Sequence, residues 1–229
     1  SRASGKGVIA WMQRVAPGRF TQPETVLQGP HHLSYPYVFE HEGAVWMIPE
    51  TAQARRIELY RARAFPRSWE RVAVLLDEVN AVDATLLRHD RCWWMFANIG
   101  EAGSSTWDEL FAFHADSPLG PWKPHAANPV KSDVRSARPA GRLFRREGRL
   151  IRPAQDCSRS YGGSLALCEV LELTPTRYRE RVIAEIGPEW LPGNLGFHTL
   201  SFSERIEFID GKIARPRDRH SVSLLQQSA

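Results

Sequence analysis

Short apolar runs alternate with polar positions along most of the chain, and long stretches with apolar residues at helical spacing are scarce. Gly, Pro and Asp separate the runs, so the pattern predicts an all-β protein. Strands are expected over residues 37–41, 44–48, 57–61, 72–76, 85–88, 92–97, 110–114, 165–170, 199–203 and 205–209. A further hairpin is expected where 141–146 meets a Glu147-Gly148 turn and returns as 149–152. The sixteen prolines fall mainly between the runs, where they interrupt no ladder.

The pattern also repeats. PYVFEHEGAVWMIPE, ATLLRHDRCWWMFAN and AGRLFRREGRLIRPAQD share the order strand, acidic two-residue turn, strand. LSFSERIEFIDGKIARP is a weaker fourth copy, with an Asp210-Gly211 turn. The turns recur roughly every 50–60 residues, a period within the range of propeller blades. IELYRARAF and WERVAVLLD supply a third and a fourth strand after the first hairpin, which makes one blade. With VIAWMQRV and SVSLLQQ as a shared closing blade, the count reaches about five. The expected fold is therefore a five-bladed β-propeller of four-stranded antiparallel blades, one domain over residues 1–229. A β-sandwich explains the repeated hairpins less well. Trp46, Trp93, Trp94, Phe96 and Phe144 fall at matching hairpin positions and are assigned to packing between blades, with one or two of them available as a sugar platform. The N-terminus lacks a Met, which reads as a domain cut from a longer protein.

Composition narrows the function classes. A length of 229 residues suffices for a sizeable core. The net charge of +4 is spread through the chain, without the Lys/Arg runs of a nucleic-acid binder, and no nucleic-acid partner is expected. Cys92, Cys157 and Cys168 are odd in number and form no CxxC pair, so a reducing, cytoplasmic setting is expected. No run approaches the roughly 18 apolar residues of a membrane span. P-loop, GxGxxG and GxSxG motifs are absent, which disfavours nucleotide-dependent chemistry and a serine hydrolase; no cofactor is expected.

The densest polar load lies in ARPAGRLFRREGRLIRPAQD and its continuation CSRSYGG. In a propeller the innermost strands converge on one channel, so side chains far apart in sequence can meet there. Glu50 ends the first hairpin, Asp83 opens the second, Asp156 closes the third, and Glu169 lies one strand further on. Carboxylates from separate blades suit glycosidic-bond hydrolysis, in which one protonates the leaving oxygen and another activates water or attacks. Asp83, Asp156 and Glu50 are the candidate catalytic residues, with two carboxyls expected about 5–10 Å apart. Arg138, Arg152, Gln155, His32, Tyr37, Tyr161 and His198 are the candidate substrate-binding residues. The plainer alternative is that these acids cap turns and the arginines form a solvated basic face. The histidines lack a partner at zinc-site spacing, so no metal is expected.

SYPYVFEHEG, VDATLL, SPLGPW, ARPAGRLF, GRLIRPAQDCSRSYG and GFHTLSF also carry a resemblance. Together they resemble the N-terminal domain of plant glucosamine inositolphosphorylceramide transferases and of bacterial proteins, some beside formyltransferase-like domains. The chain is identified as a bacterial member. That domain is similar in turn to five-bladed propeller glycosidases, which carry a base Asp, an orienting Asp and an acid Glu on separate blades. The resemblance places Asp83 as the orienting Asp, whereas Ser34-Tyr35-Pro36 stands where the base Asp is expected. Glu50 or Asp156 would have to substitute. Two readings follow: a glycoside hydrolase-like domain acting on a carbohydrate ligand, slightly preferred, and a non-catalytic glycan-recognition module serving an adjacent transferase domain. A protein-binding scaffold is a third, and it leaves the polar hairpin end unexplained.

Overall fold

The computed structural model describes residues 5–100, 104–202 and 207–214. Four short strands come first: β1 (Ile9–Trp11), β2 (Arg14–Ala16), β3 (Arg19–Phe20) and β4 (Glu24–Leu27), with β1 paired to β4 and β2 to β3. Three meandering sheets follow. The first runs β5 (Ser34–His41), β6 (Ala44–Glu50), β7 (Arg56–Ala64), β8 (Ser68–Asp77). The second holds β9 (Ala81–His89), β10 (Cys92–Ile99), β11 (Glu109–Ala115) and β12 (Lys123–Pro124), with β13 (Lys131–Ser132) also on β11. The third runs β14 (Phe144–Arg146), β15 (Arg149–Asp156), β16 (Ser164–Leu173), β17 (Tyr178–Ile186). A two-stranded sheet of β18 (Leu200–Phe202) and β19 (Glu207–Ile209) comes last. Among the described residues there is no α-helix, and no helix is long and apolar enough to cross a membrane.

Sheet follows sheet like the vanes of a fan, each pair enclosing its own core. Phe39, Trp46, Ile48 and Leu59 of the first sheet meet Leu86, Trp93 and Met95 of the second. The other face of the second sheet, with Trp94, Phe96 and Leu110, packs on Leu143 and Leu150 of the third. Ala140 and Leu165 then meet Phe197, beside Leu200 and Ile209. Ile9, with Val26 and Leu27 beside it, covers the outer face of the first sheet at Met47 and Tyr60. Adjacent residues of a strand face opposite ways, so Trp93 and Trp94 serve two different interfaces. Trp46, Trp93, Trp94 and Phe96 are all buried and do not form a sugar platform.

The hairpins of the three full sheets turn where the sequence placed them. Both central residues have positive φ at Glu42-Gly43, Asp90-Arg91 and Glu147-Gly148, the geometry that matches the twist of flanking strands. The fourth copy differs. Asp210-Gly211 lies beyond β19 and does not join it to β18; Asp210 accepts the backbone N–H groups of His198 and Thr199. VIAWMQRV pairs through β1 with β4, and SVSLLQQ lies outside the described residues. No closed sheet is present among the described residues.

Candidate functional site

The first strands of the first and second sheets, β5 and β9, open on irregular backbone. Tyr35 and Asp83 occupy the same place relative to the turns at Glu42 and Asp90, and both have positive φ, 42° and 54°. Each sits beside a register shift, between Ser34 and Tyr37 on β5 and opposite the interval from Phe96 to Asn98 for β9. Such bulges re-aim a side chain out of the pleat. Left-handed backbone at a bulky residue costs of order 1–3 kcal/mol and persists only where surrounding contacts fix it.

Those contacts are in place. Asp83 is buried, and its Oδ2 accepts from Arg138 Nε at 2.6 Å and from Gln155 Nε2 at 3.1 Å. Gln155 also donates to the Pro139 carbonyl. The Tyr35 hydroxyl accepts from the Gly141 N–H at 2.6 Å and lies 2.9 Å from Thr85 Oγ1. Arg138 Nη2 lies 3.9 Å from Glu50 Oε2 and donates to the Tyr161 hydroxyl at 3.5 Å, while Nη1 reaches Thr106. Its guanidinium also sits 4.8 Å from the Tyr161 ring centre.

Around this hub lies a cavity of about 480 Å³ lined by His32, Ser34, Glu50, Asp83, Arg138 and Gln155. Tyr161, His198, Thr199, Tyr35 and Pro36 complete it. The volume is in the range of small-ligand sites. His32 is fixed by the Gly7 N–H on its Nδ1 and by its own N–H on Gln53. Asp210 pairs with His198 and holds the start of the last sheet against the cavity.

The two carboxyls of the cavity, Glu50 and Asp83, are hydrogen-bonded to each other. Burial, and then the charge of Asp83, pushes Glu50 up to about 7. Burial also pushes Asp83 up, opposed there by Arg138 and by the Glu50 hydrogen bond. Glu50 therefore keeps its proton up to near neutrality, beside an Asp83 carboxyl clamped by Arg138 and Gln155. Chemically this is a proton donor near neutrality beside a carboxylate whose acceptor positions are largely occupied. Tyr161 is raised to about 12, mainly by burial, and stays a neutral phenol. Among the described residues, no three His, Cys, Asp or Glu side chains converge as a metal site.

Of the ten residues singled out from sequence, seven line this cavity: Glu50, Asp83, Arg138, Gln155, His32, Tyr161 and His198. Three do not. Arg152 is fully buried inside the third sheet, donating to Glu180 at 2.6 and 2.8 Å and to the Ser136 and Ala137 carbonyls. Tyr178 and Lys131 also donate to Glu180, so Arg152 is spent on a structural ion network. Asp156 faces a separate surface depression with Arg135 and Ser158, and its Oδ1 accepts the Ser158 N–H. The expected pairing of Asp83 with Asp156 does not occur. Tyr37 lies deeper, donating to the Leu86 carbonyl under the Arg142 guanidinium. Glu169 pairs with Arg181 on the outer part of the third sheet. Sequence reasoning missed Tyr35, Thr106 and Thr199; the shared position of Tyr35 and Asp83 in the repeat was a usable signal for the first.

The fold is a β-propeller of the kind found in glycosidases. The chain resembles a GH43 protein from Bacillus licheniformis, with TM-score 0.56 and 15% identity over 80% of this chain and 41% of that one. It also resembles an exo-β-1,3-galactanase from Phanerochaete chrysosporium, with TM-score 0.55 and 10% identity over 92% and 47%. At such identities the likeness is one of fold. The chain belongs to the family described as glucosamine inositolphosphorylceramide transferase 1, N-terminal, which matches residues 6–188. Glucosamine inositolphosphorylceramide transferase 1 of Oryza sativa subsp. japonica is 41% identical over 152 residues, 65% of this chain. The Arabidopsis thaliana protein of that name is 37% identical over the same length. The match covers about a fifth of these relatives, 20% of their length. They are plant proteins, so the expected bacterial origin gains no support from them.

Proposed function

We propose that this domain is a glycan-recognition propeller whose cavity around Arg138 binds a sugar unit on behalf of a neighbouring transferase-type region. The observation that carries this is the closed Glu50–Asp83–Arg138 constellation: both carboxyls of the cavity meet one guanidinium, Asp83 at 2.6 Å and Glu50 at 3.9 Å. A hydrolase needs two carboxyls held about 5–10 Å apart across the sugar. Ser34, where the resemblance expects a base, carries no carboxyl and supports the same conclusion. His32, Arg138, Tyr161 and His198 supply donors for hydroxyl or phosphate oxygens. The name of the relatives supports a glucosamine- or inositol phosphate-bearing headgroup as the ligand class. We also propose five four-stranded blades in the complete domain. The cytoplasmic setting belongs to the proposal too, supported by three unpaired cysteines.

The hydrolase reading is favoured by one observation, the raised Glu50, which suits a general acid. Glycan-array binding with product analysis, on wild type and Glu50→Gln, separates the two. Binding by both proteins without product is expected. Turnover lost in Glu50→Gln with binding kept makes the domain a hydrolase. Absence of binding by wild type overturns both.

A further inference from the structure

We infer that Trp107 and Tyr161 form an aromatic shelf at the rim of the cavity that stacks a second sugar ring, so that the ligand carries at least two linked rings. The inference rests on the glycan-recognition reading and names a subsite for it. The tryptophans of the sheet hairpins are buried at the blade interfaces, whereas Trp107 is 38% exposed and Tyr161 37%. They come from different sheets, Trp107 from the β10–β11 connection and Tyr161 from the β15–β16 connection. Their ring centres lie 6.0 Å apart with planes at 37°.

The shelf is held rather than merely exposed. Arg138 Nη1 donates to the Thr106 carbonyl at 3.2 Å and to Thr106 Oγ1 at 3.3 Å, and the Trp107 N–H donates to Ser105 Oγ at 2.9 Å. Gly100 leaves the space that Thr106 fills, since a Cβ there would stand 2.8 Å from Thr106 Cγ2. Tyr161 is stacked beneath the same guanidinium and meets the edge of His198 at 5.5 Å. One arginine therefore fixes both the polar floor at Asp83 and the two rings of the rim.

A pyranose has hydroxyls around its edge and C–H groups on its faces. The floor offers Arg138, Glu50 and His32 to the edge of one ring, and the shelf offers an indole to the face of the next. Structural packing accounts for Thr106 but gives the exposed indole no task.

The test is a microarray of mono-, di- and trisaccharides probed with wild type, Trp107→Ala and Trp107→Phe, followed by calorimetry with the best disaccharide and its component monosaccharides. Disaccharide affinity is expected to fall about tenfold in Trp107→Ala and to stay near wild type in Trp107→Phe. Affinity for the cavity-bound monosaccharide is expected to be equal in all three. Unchanged disaccharide affinity in Trp107→Ala overturns the shelf and leaves the cavity reading standing. So does an equal loss for mono- and disaccharide, which would mean that the residue acts through the floor. Wild type that binds no saccharide overturns shelf and cavity together.

Discussion

At the scale of single residues the site depends on Arg138. Its planar guanidinium meets Asp83, Thr106 and Tyr161 at once, with Glu50 at the edge of reach, a geometry that a lysine ammonium cannot reproduce. Removing it leaves Asp83 buried with an uncompensated charge. Arg138→Met is expected to cost about 3–5 kcal/mol of stability. Arg138→Met combined with Asp83→Asn should cost clearly less than the two singles added, because neither partner is then stranded. Urea denaturation of all four proteins measures the coupling, and additive losses would contradict a direct pair. Arg138 and Arg152 look alike in sequence, yet one serves the cavity and the other the interior. What separated them was the partner, Glu180, which arrives from a later strand. Gln155 and Asp156 were separable by rule, since neighbours in β15 face opposite ways and only one can enter the cavity.

At the scale of elements, hairpins and turns were legible because alternation and φ > 0 turn chemistry are local. β17 was not. It is the outermost strand of its sheet, mostly exposed, and so carries no apolar face to mark it. The blade entrances were half legible: the sequence marked Asp83, while the bulge that aims it depends on register across β9 and β10. Gly141 shows how tightly one entrance is packed. Its φ is +122°, and a Cβ there would lie 2.0 Å from the Leu200 carbonyl oxygen. The adjacent Leu200 N–H donates to Ala140 at 2.8 Å, joining the third sheet to the last. Gly141→Ala combines backbone strain with a backbone clash, and should cost about 3 kcal/mol. Thermal melting checks the magnitude, and amide exchange at Leu200 checks the place. Loss of protection elsewhere, with Leu200 unchanged, would refute this account.

At the scale of the whole molecule, the two most perturbed carboxyls pull stability in opposite directions with pH. Burial and Asp83 raise Glu50 to about 7 from an ordinary 4.5, so the folded state holds that proton more tightly than the unfolded chain. Its contribution is full below about 4.5 and is lost as pH rises through about 7. Glu180 is the reverse. Burial raises it, but Arg152 and Lys131 outweigh that and hold it at about 2, so its contribution is present above about 4.5 and lost as pH falls toward 2. Glu58 and Asp210, also lowered, share the acid side, and Glu180→Gln alone would flatten only part of it. On the neutral side Asp83, which burial also raises, and His114, which burial lowers, titrate as well, so the Glu50→Gln comparison is what singles out Glu50, whose side chain is only 16% exposed. Its contribution there is on the order of 3 kcal/mol. Urea midpoints measured from pH 5 to pH 8 should therefore fall in wild type and flatten in Glu50→Gln, which keeps the hydrogen bond to Asp83 without a titrating proton. Parallel slopes for the two proteins would place that proton elsewhere, and with it the only argument that this cavity holds a general acid.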